Sequence, residues 1–209
     1  MKLPQITLCT VGSIKYKDQM QNQLDYSSSK IGFGAVKNII AETNTIDEWN
    51  RFIVFELGEH IDTEFALLVH PDGGIAEPSV WRDSWFLYDY VGAPFPVPHD
   101  NFSYRDINGN LQRVGNSVSL RSKKLMMLPK RLNMEWKPFY GFYNEDGYIA
   151  VNMRHKFEEW GCKFAPLSEA VYFGREYDVA ENQFIDKTFT YHKTQVYKNF
   201  DYPNFETGI

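Results

Sequence analysis

Apolar residues fall along this chain in two alternating rhythms, short unbroken runs and stripes spaced three or four apart, and that alternation predicts an α/β fold. Ile6 to Val11 is a β-branched apolar run stopped by Gly12 and Ser13, the pattern of a central strand buried on both faces. The polar stretch from Lys15 to Lys30 accommodates a helix that ends at Tyr26 and the serines Ser27 to Ser29, and Val36 to Ala41 reads as a second strand. Thr45 and Glu48 are spaced as a capping box, so a helix is expected to start there. Its apolar stripe is Ile46, Trp49, Ile53 and Leu57, with Gly58 as the stop. Phe65 to Val69 is a third strand, joined to the others through helices rather than hairpins.

Pro78 to Tyr90 carries Trp81, Trp85, Phe86, Tyr88 and Tyr90 and reads as a helix running into a short strand at Tyr90 and Val91. Residues 92–116 change character. Pro94, Pro96, Pro98 and the Asn108-Gly109 turn mark a long loop or irregular hairpin, and loops of that length are commonly binding segments. A strand at Val118 to Leu120 and a short helix at Ser122 to Met127 follow. Gly141, Phe142 and Tyr143 lead to Asn144, the expected N-cap of a helix with Ile149, Met153, Phe157 and Trp160 on one face and Gly161 at its end. Lys163 to Ala165 reads as a short strand, Ser168 to Phe173 as a short helix or turn, and Phe189 to His192 as the strand-like part of the tail.

With 209 residues, 43% hydrophobic and 16% aromatic, the chain can fill one core but not two, which predicts a single domain with its core over about 4–195 and a tail over 196–209. Nothing approaches the roughly 18 to 20 apolar residues of a membrane helix, so no membrane insertion is expected. The N-terminus has no signal-peptide pattern, and a cytoplasmic location is the expectation. Cys9 and Cys162 lie in apolar stretches and read as buried thiols. A net charge of −5 provides no global attraction to phosphate backbones. Arg121, Lys123, Lys124, Lys130 and Arg131 fit a local nucleic-acid patch or simply a solvated helix face. No P-loop, dinucleotide fingerprint or Ser/His/Asp signature is present, which weakens kinase, dehydrogenase and hydrolase readings.

Two acidic motifs hold the candidate chemistry. His70-Pro71-Asp72 closes the Phe65 to Val69 run, at the strand end where open α/β sheets bind ligands, and an imidazole with a carboxylate suits Mn²⁺ or Mg²⁺ carrying a diphosphate. Pro71, Gly73 and Gly74 fit a plain surface turn as well. Glu145 and Asp146 occupy the first turn of the helix after Asn144. Capping alone accounts for them, yet adjacent carboxylates project differently, so one can cap while the other faces a cleft as a general base. Of the five histidines, His192 stands out near the C-terminus, although a lone histidine is usually structural. His60, His99 and His155 read as surface or loop positions.

Taken in order, Ala66 to Asp72 (Ala-Leu-Leu-Val-His-Pro-Asp), Tyr88 to Phe95 (Tyr-Asp-Tyr-Val-Gly-Ala-Pro-Phe), Val114 to Lys123 (Val-Gly-Asn-Ser-Val-Ser-Leu-Arg-Ser-Lys) and Asn144-Glu145-Asp146 resemble a family of small uncharacterised proteins of glycosyltransferase A type, domain of unknown function 5672. The resemblance runs from about residue 4 to 195. It implies a GT-A, Rossmann-like single domain with a mixed, mainly parallel central sheet flanked by helices. It also implies an inverting glycosyltransferase that is metal-dependent, with Mn²⁺ or Mg²⁺ as cofactor and a UDP-sugar as the favoured nucleotide-sugar donor.

By the same resemblance Asp146 is the base, with Glu145 beside it. Thr10, Val11, Gly12 and Ser13 border the nucleotide, Gly115 and Asn116 contribute to the donor site, and Arg121 supplies positive charge to the diphosphate. Asp72 meets the metal with His70, and His192 completes its shell. Related transferases carry Asp-x-Asp, so His70 departs from the pattern. Ser117 and Val118 depart where relatives carry more glycine. The acceptor implied is a glycan, a lipid-linked glycan or another hydroxyl compound, and the length and aromatic content of the 92–116 segment make it the expected acceptor-facing part. Two alternatives stand beside this: a non-catalytic nucleotide-sugar or sugar-binding protein, and a transferase acting on modified bases in DNA, which the net charge does not favour.

Overall fold

The protein is described by a computed structural model over residues 1–138, 144–193 and 202–206. Strand β1 (Lys2–Gly12) lies between β2 (Gly32–Ile40) and β3 (Phe65–Leu68) and is parallel to both. Beyond β3 come β6 (Val114–Ser122), antiparallel to it, and β5 (Tyr90–Pro94), antiparallel to β6, giving the order β2-β1-β3-β6-β5. Only β6 opposes the other four strands, so the sheet is mixed and mainly parallel, as expected. Helices α1 (Lys17–Ser28) and α2 (Ile46–Phe55) make the two crossovers between parallel strands.

Alternation along the central strands divides the core. Ile6, Leu8, Leu67 and Val69 face one side with Leu24 of α1, Trp85, Phe173 and Phe189. Cys9, Val11, Ala66 and Leu68 face the other with Ile53 and Leu57. The capping box at α2 is formed: Thr45 Oγ1 accepts from the Glu48 amide at 3.2 Å, and Glu48 Oε2 accepts from the Thr45 amide at 3.1 Å.

A second, small sheet completes the site side of the molecule. β4 (Gly73–Ile75) pairs antiparallel with β8 (Thr190–His192), which pairs parallel with β7 (Gly174–Arg175). Helix α3 (Lys123–Arg131) follows β6, and α6 (Leu167–Phe173) precedes β7. Both cysteines are free and buried. Among the described residues no helix is long and apolar enough to cross a membrane.

Several local expectations are corrected. Ile46 is 70% exposed, because the α2 stripe rotates past the core at its first turn. Pro78 to Tyr90 forms two 3-10 turns, Pro78–Val80 and Asp83–Leu87, which turn Trp81 and Trp85 onto Phe189 and Phe173 with ring centroids 5.0 and 5.1 Å apart. Phe164 makes one isolated bridge to Tyr90 rather than a strand.

The helix after Asn144 is not uniform. It runs as α4 (Glu145–Gly147), a π-helical turn Tyr148–Asn152, and α5 (Arg154–Glu159). The extra residue in the π turn shifts the stripe, so Phe157 is buried while Trp160 is 47% exposed. Gly161, at φ +71°, closes the helix as the left-handed residue of a Schellman motif, its amide bonding Glu158 O and that of Cys162 bonding Phe157 O. Gly141 to Tyr143 lie outside the described residues, as does most of the tail past Lys193. Arg121 is fully buried and so drops out of the basic surface set.

Candidate active site

The C-terminal ends of β1 and β3 open into a cavity of about 980 Å³, closed on its other sides by the first turn of α2, the start of α4, the ends of β7 and β8, and the arm between β5 and β6. Val11, Gly12 and Ser13 line it from β1, His70 and Asp72 from the turn after β3, Glu145 and Asp146 from α4, and His192 from β8. Residues far apart in sequence thus meet in one place. Thr10 is buried beneath this lining, its hydroxyl 3.4 Å from Asn38 Oδ1.

Small-sheet pairing explains the histidines. The turn His70-Pro71-Asp72 is closed by reciprocal backbone bonds between His70 and Gly73, and the register Gly73↔His192 sets His192 beside it. The two imidazole rings lie 5.4 Å apart, and His192 Nε2 is 3.5 Å from Asp72 Oδ1. Burial, then the neighbouring His192, holds His70 down to about 4, so it is neutral at pH 7. Burial opposes ionisation of Asp72, but the bond and charge of His192 outweigh it and hold the carboxyl at about 2.

His70 Nε2 and His192 Nδ1 are buried without a hydrogen-bond partner among the described residues. The neutral His70 imidazole and the ionised Asp72 carboxylate are donors that Mn²⁺ accepts, and His192 can join them once it gives up the proton that Asp72 and Glu176 favour on it, so the set fits such an ion chemically. Among the described residues no three His, Cys, Asp or Glu side chains are drawn together as a finished shell.

Glu145 and Asp146 divide as adjacent carboxylates must. Glu145 turns inward to Arg121 at 2.8 Å, with both side chains buried, while its amide donates to Asn50 Oδ1 at 2.9 Å. Asn50 therefore occupies the capping role that the sequence suggests for Asn144, whose side chain makes no cap bond. Asp146 turns to the cavity and, among the described residues, accepts from the Gly147 amide at 2.7 Å. Burial, with Glu145 and Glu176 nearby, pushes Asp146 up to about 7 against the opposing pull of Gly147 N–H and Arg121. A carboxylate that changes charge near neutrality can take up a proton during a reaction.

Gly115, Asn116 and Arg121 lie behind the cavity rather than on it. A Cβ at Gly115 would sit 1.8 Å from the Phe95 ring, so glycine there makes room for that ring. Asn116, held at φ +104°, donates from Nδ2 to Glu176 Oε2 at 2.6 Å. Glu176 is a site residue that sequence reasoning missed, together with Lys193, which pairs with it at 2.7 Å. No motif surrounds Glu176. Only the β7–β8 pairing brings it to 3.6 Å from His192.

Residues 41–207 match the family described as "Protein of unknown function (DUF5672)". The chain belongs to this family. The match takes in both acidic motifs, Glu176 and His192, but β1, α1 and β2 precede it, so it starts later than the resemblance in the sequence implies. In structure, the chain is similar to the "crystal structure of a glycosyltransferase involved in the glycosylation of the major capsid of PBCV-1", with TM-score 0.56 and 11% identity over 90% of this chain and 92% of that one. At that identity the likeness is one of fold. No curated protein matches this DUF5672 chain.

Proposed function

We propose that the protein is an inverting glycosyltransferase that moves a sugar from a nucleotide-sugar donor, by preference a UDP-sugar, to an acceptor hydroxyl. The observation that carries this reading is Asp146: a cavity-facing carboxylate tuned to about 7, opposite the strand ends where α/β folds bind nucleotides. The fold shared with a glycosyltransferase supports it.

In the proposed single displacement Asp146 takes the proton of the acceptor hydroxyl. The acceptor oxygen then bonds the anomeric carbon as the bond from that carbon to the diphosphate oxygen breaks, and the nucleoside diphosphate leaves. With Glu145 neutralised by Arg121, Asp72, Asp146, Glu176 and Glu206 line the cavity against Lys193 and His192, an acidic excess that would repel a diphosphate. A Mn²⁺ or Mg²⁺ ion held by Asp72, His70 and His192 would supply the countercharge. Arg121, buried against Glu145, acts in this scheme by fixing α4 rather than by touching the donor.

Replacing Asp146→Asn keeps the shape and removes the base. Transfer from nucleotide sugar is expected to fall by about 10²- to 10⁴-fold while the circular dichroism spectrum stays native. Wild-type rates in that variant would eliminate Asp146 as base.

A further inference from the structure

One wall of the cavity is used by neither the donor contacts nor the proposed base. The arm between β5 and β6 presents Tyr104 there, stacked on Phe95 with ring centroids 4.5 Å apart and planes inclined by 16°. Phe102, 52% exposed, and Tyr177, just past β7, line the same cavity. We propose that this aromatic wall is an acceptor subsite for a neutral pyranoside, whose C–H face packs on Tyr104 and whose hydroxyl edge turns toward Asp146. The inference rests on the transfer reading above and names its acceptor class.

The wall is built rather than incidental. Tyr104 holds φ +55°, a left-handed conformation rare for an aromatic residue, and its carbonyl is fixed by the Gln112 amide at 2.7 Å. On one side Asp100 accepts from the amides of Phe102 and Ser103 at 2.9 and 2.6 Å; on the other Asp106 accepts from those of Asn108 and Asn110, both at 2.9 Å. Gly115 leaves the space that lets Phe95 back the Tyr104 ring. Tyr104 and Asp146 line the same cavity, and burial, then Tyr177, Asp146 and Glu176, push the Tyr104 hydroxyl up to about 12.

Chemistry narrows the occupant. A pyranose has one face of C–H groups and an edge of hydroxyls, matching an electron-rich ring beside hydrogen-bonding carboxylates. The lining carboxylates, with Lys193 already paired to Glu176, disfavour an acceptor bearing phosphate or carboxylate. That balance weighs against a nucleic-acid strand and points to a neutral sugar residue.

The test is saturation-transfer NMR on the full chain with methyl glucoside, methyl galactoside and methyl mannoside, each beside its uronic acid and 6-phosphate, with UDP and diamagnetic Mg²⁺ present. Neutral glycosides are expected to bind and charged counterparts not. Tyr104→Ala should weaken binding about tenfold, and Tyr104→Phe should retain it. Charged sugars binding equally well, a Tyr104→Ala variant binding like wild type, or no glycoside binding to wild type would each overturn the subsite. If Tyr104→Ala does not fold, Phe102→Ala and Tyr177→Ala serve in its place, and wild-type affinity in both overturns it. Separate titration with nucleotide sugars keeps the two readings apart. Glycoside binding without donor binding would remove the transfer reading, and with it the acceptor role, leaving a sugar-binding wall; the converse would remove only the subsite.

Discussion

Asp146 shows how much a single side chain owes to its surroundings. Burial and two neighbouring carboxylates favour its neutral form, whereas the proposed chemistry needs the anion. Transfer is therefore expected to rise about tenfold per pH unit below about 7 and to level off above it, read from initial rates with saturating substrates. A flat profile from pH 5 to 8 would mean that another group takes the proton. Because the folded-state value is raised, the stability this group contributes is present below the ordinary carboxylate range and is lost as pH rises through about 7. Arg121 is the other decisive residue. Arg121→Met strands the buried Glu145 charge and is expected to cost about 3–5 kcal/mol, measured from urea unfolding midpoints. A loss below about 1 kcal/mol would imply that Glu145 finds another partner. Motif order and the family resemblance pointed to Asp72, Asp146 and His192, and the structure brings all three to one cavity. Glu176 and Asn50 were not, because each gains its role from a partner strand or helix that no local pattern records.

Among the elements, those with a regular period and a cap were readable: β1, β3, α2 with its capping box, and the start of α3. Those set by tertiary contacts were not. The 3-10 turns at Pro78–Val80 and Asp83–Leu87 bring Trp81 onto the Phe189 ring and Trp85 onto the Phe173 ring. The π turn at Tyr148–Asn152 inserts a residue that periodicity cannot anticipate. Gly115 illustrates a role that changes with context: family resemblance sets it near the donor, whereas packing explains it by the Phe95 ring. Gly115→Ala is expected to displace the Phe95–Tyr104 stack and to cost about 1–3 kcal/mol, seen as a lower melting temperature. An unchanged melting temperature would show that Phe95 has somewhere else to go.

At the scale of the whole molecule, the cavity is the feature through which ligands speak to stability. A nucleotide sugar at a hundred times its Kd, with Mn²⁺ present, should stabilise the fold by about 2.7 kcal/mol. For a chain this size that is a rise of roughly 5 to 10 °C in Tm. A shift lost in Asp72→Ala but kept in Asp146→Asn would separate donor and metal binding from the base. No shift with any nucleotide would favour a binding module for sugars alone.

The pairing of Gly73 with His192 joins the two ends of the site across most of the sequence, and phenylalanine 205 returns its amide to Pro71 O at 2.8 Å. During synthesis the ribosome therefore exposes Asp72 and Asp146 long before the strand that brings His192 to them exists. Under the proposed chemistry the site is incomplete until β8 has been made, and a protease that removes β8 is expected to abolish transfer without touching Asp146.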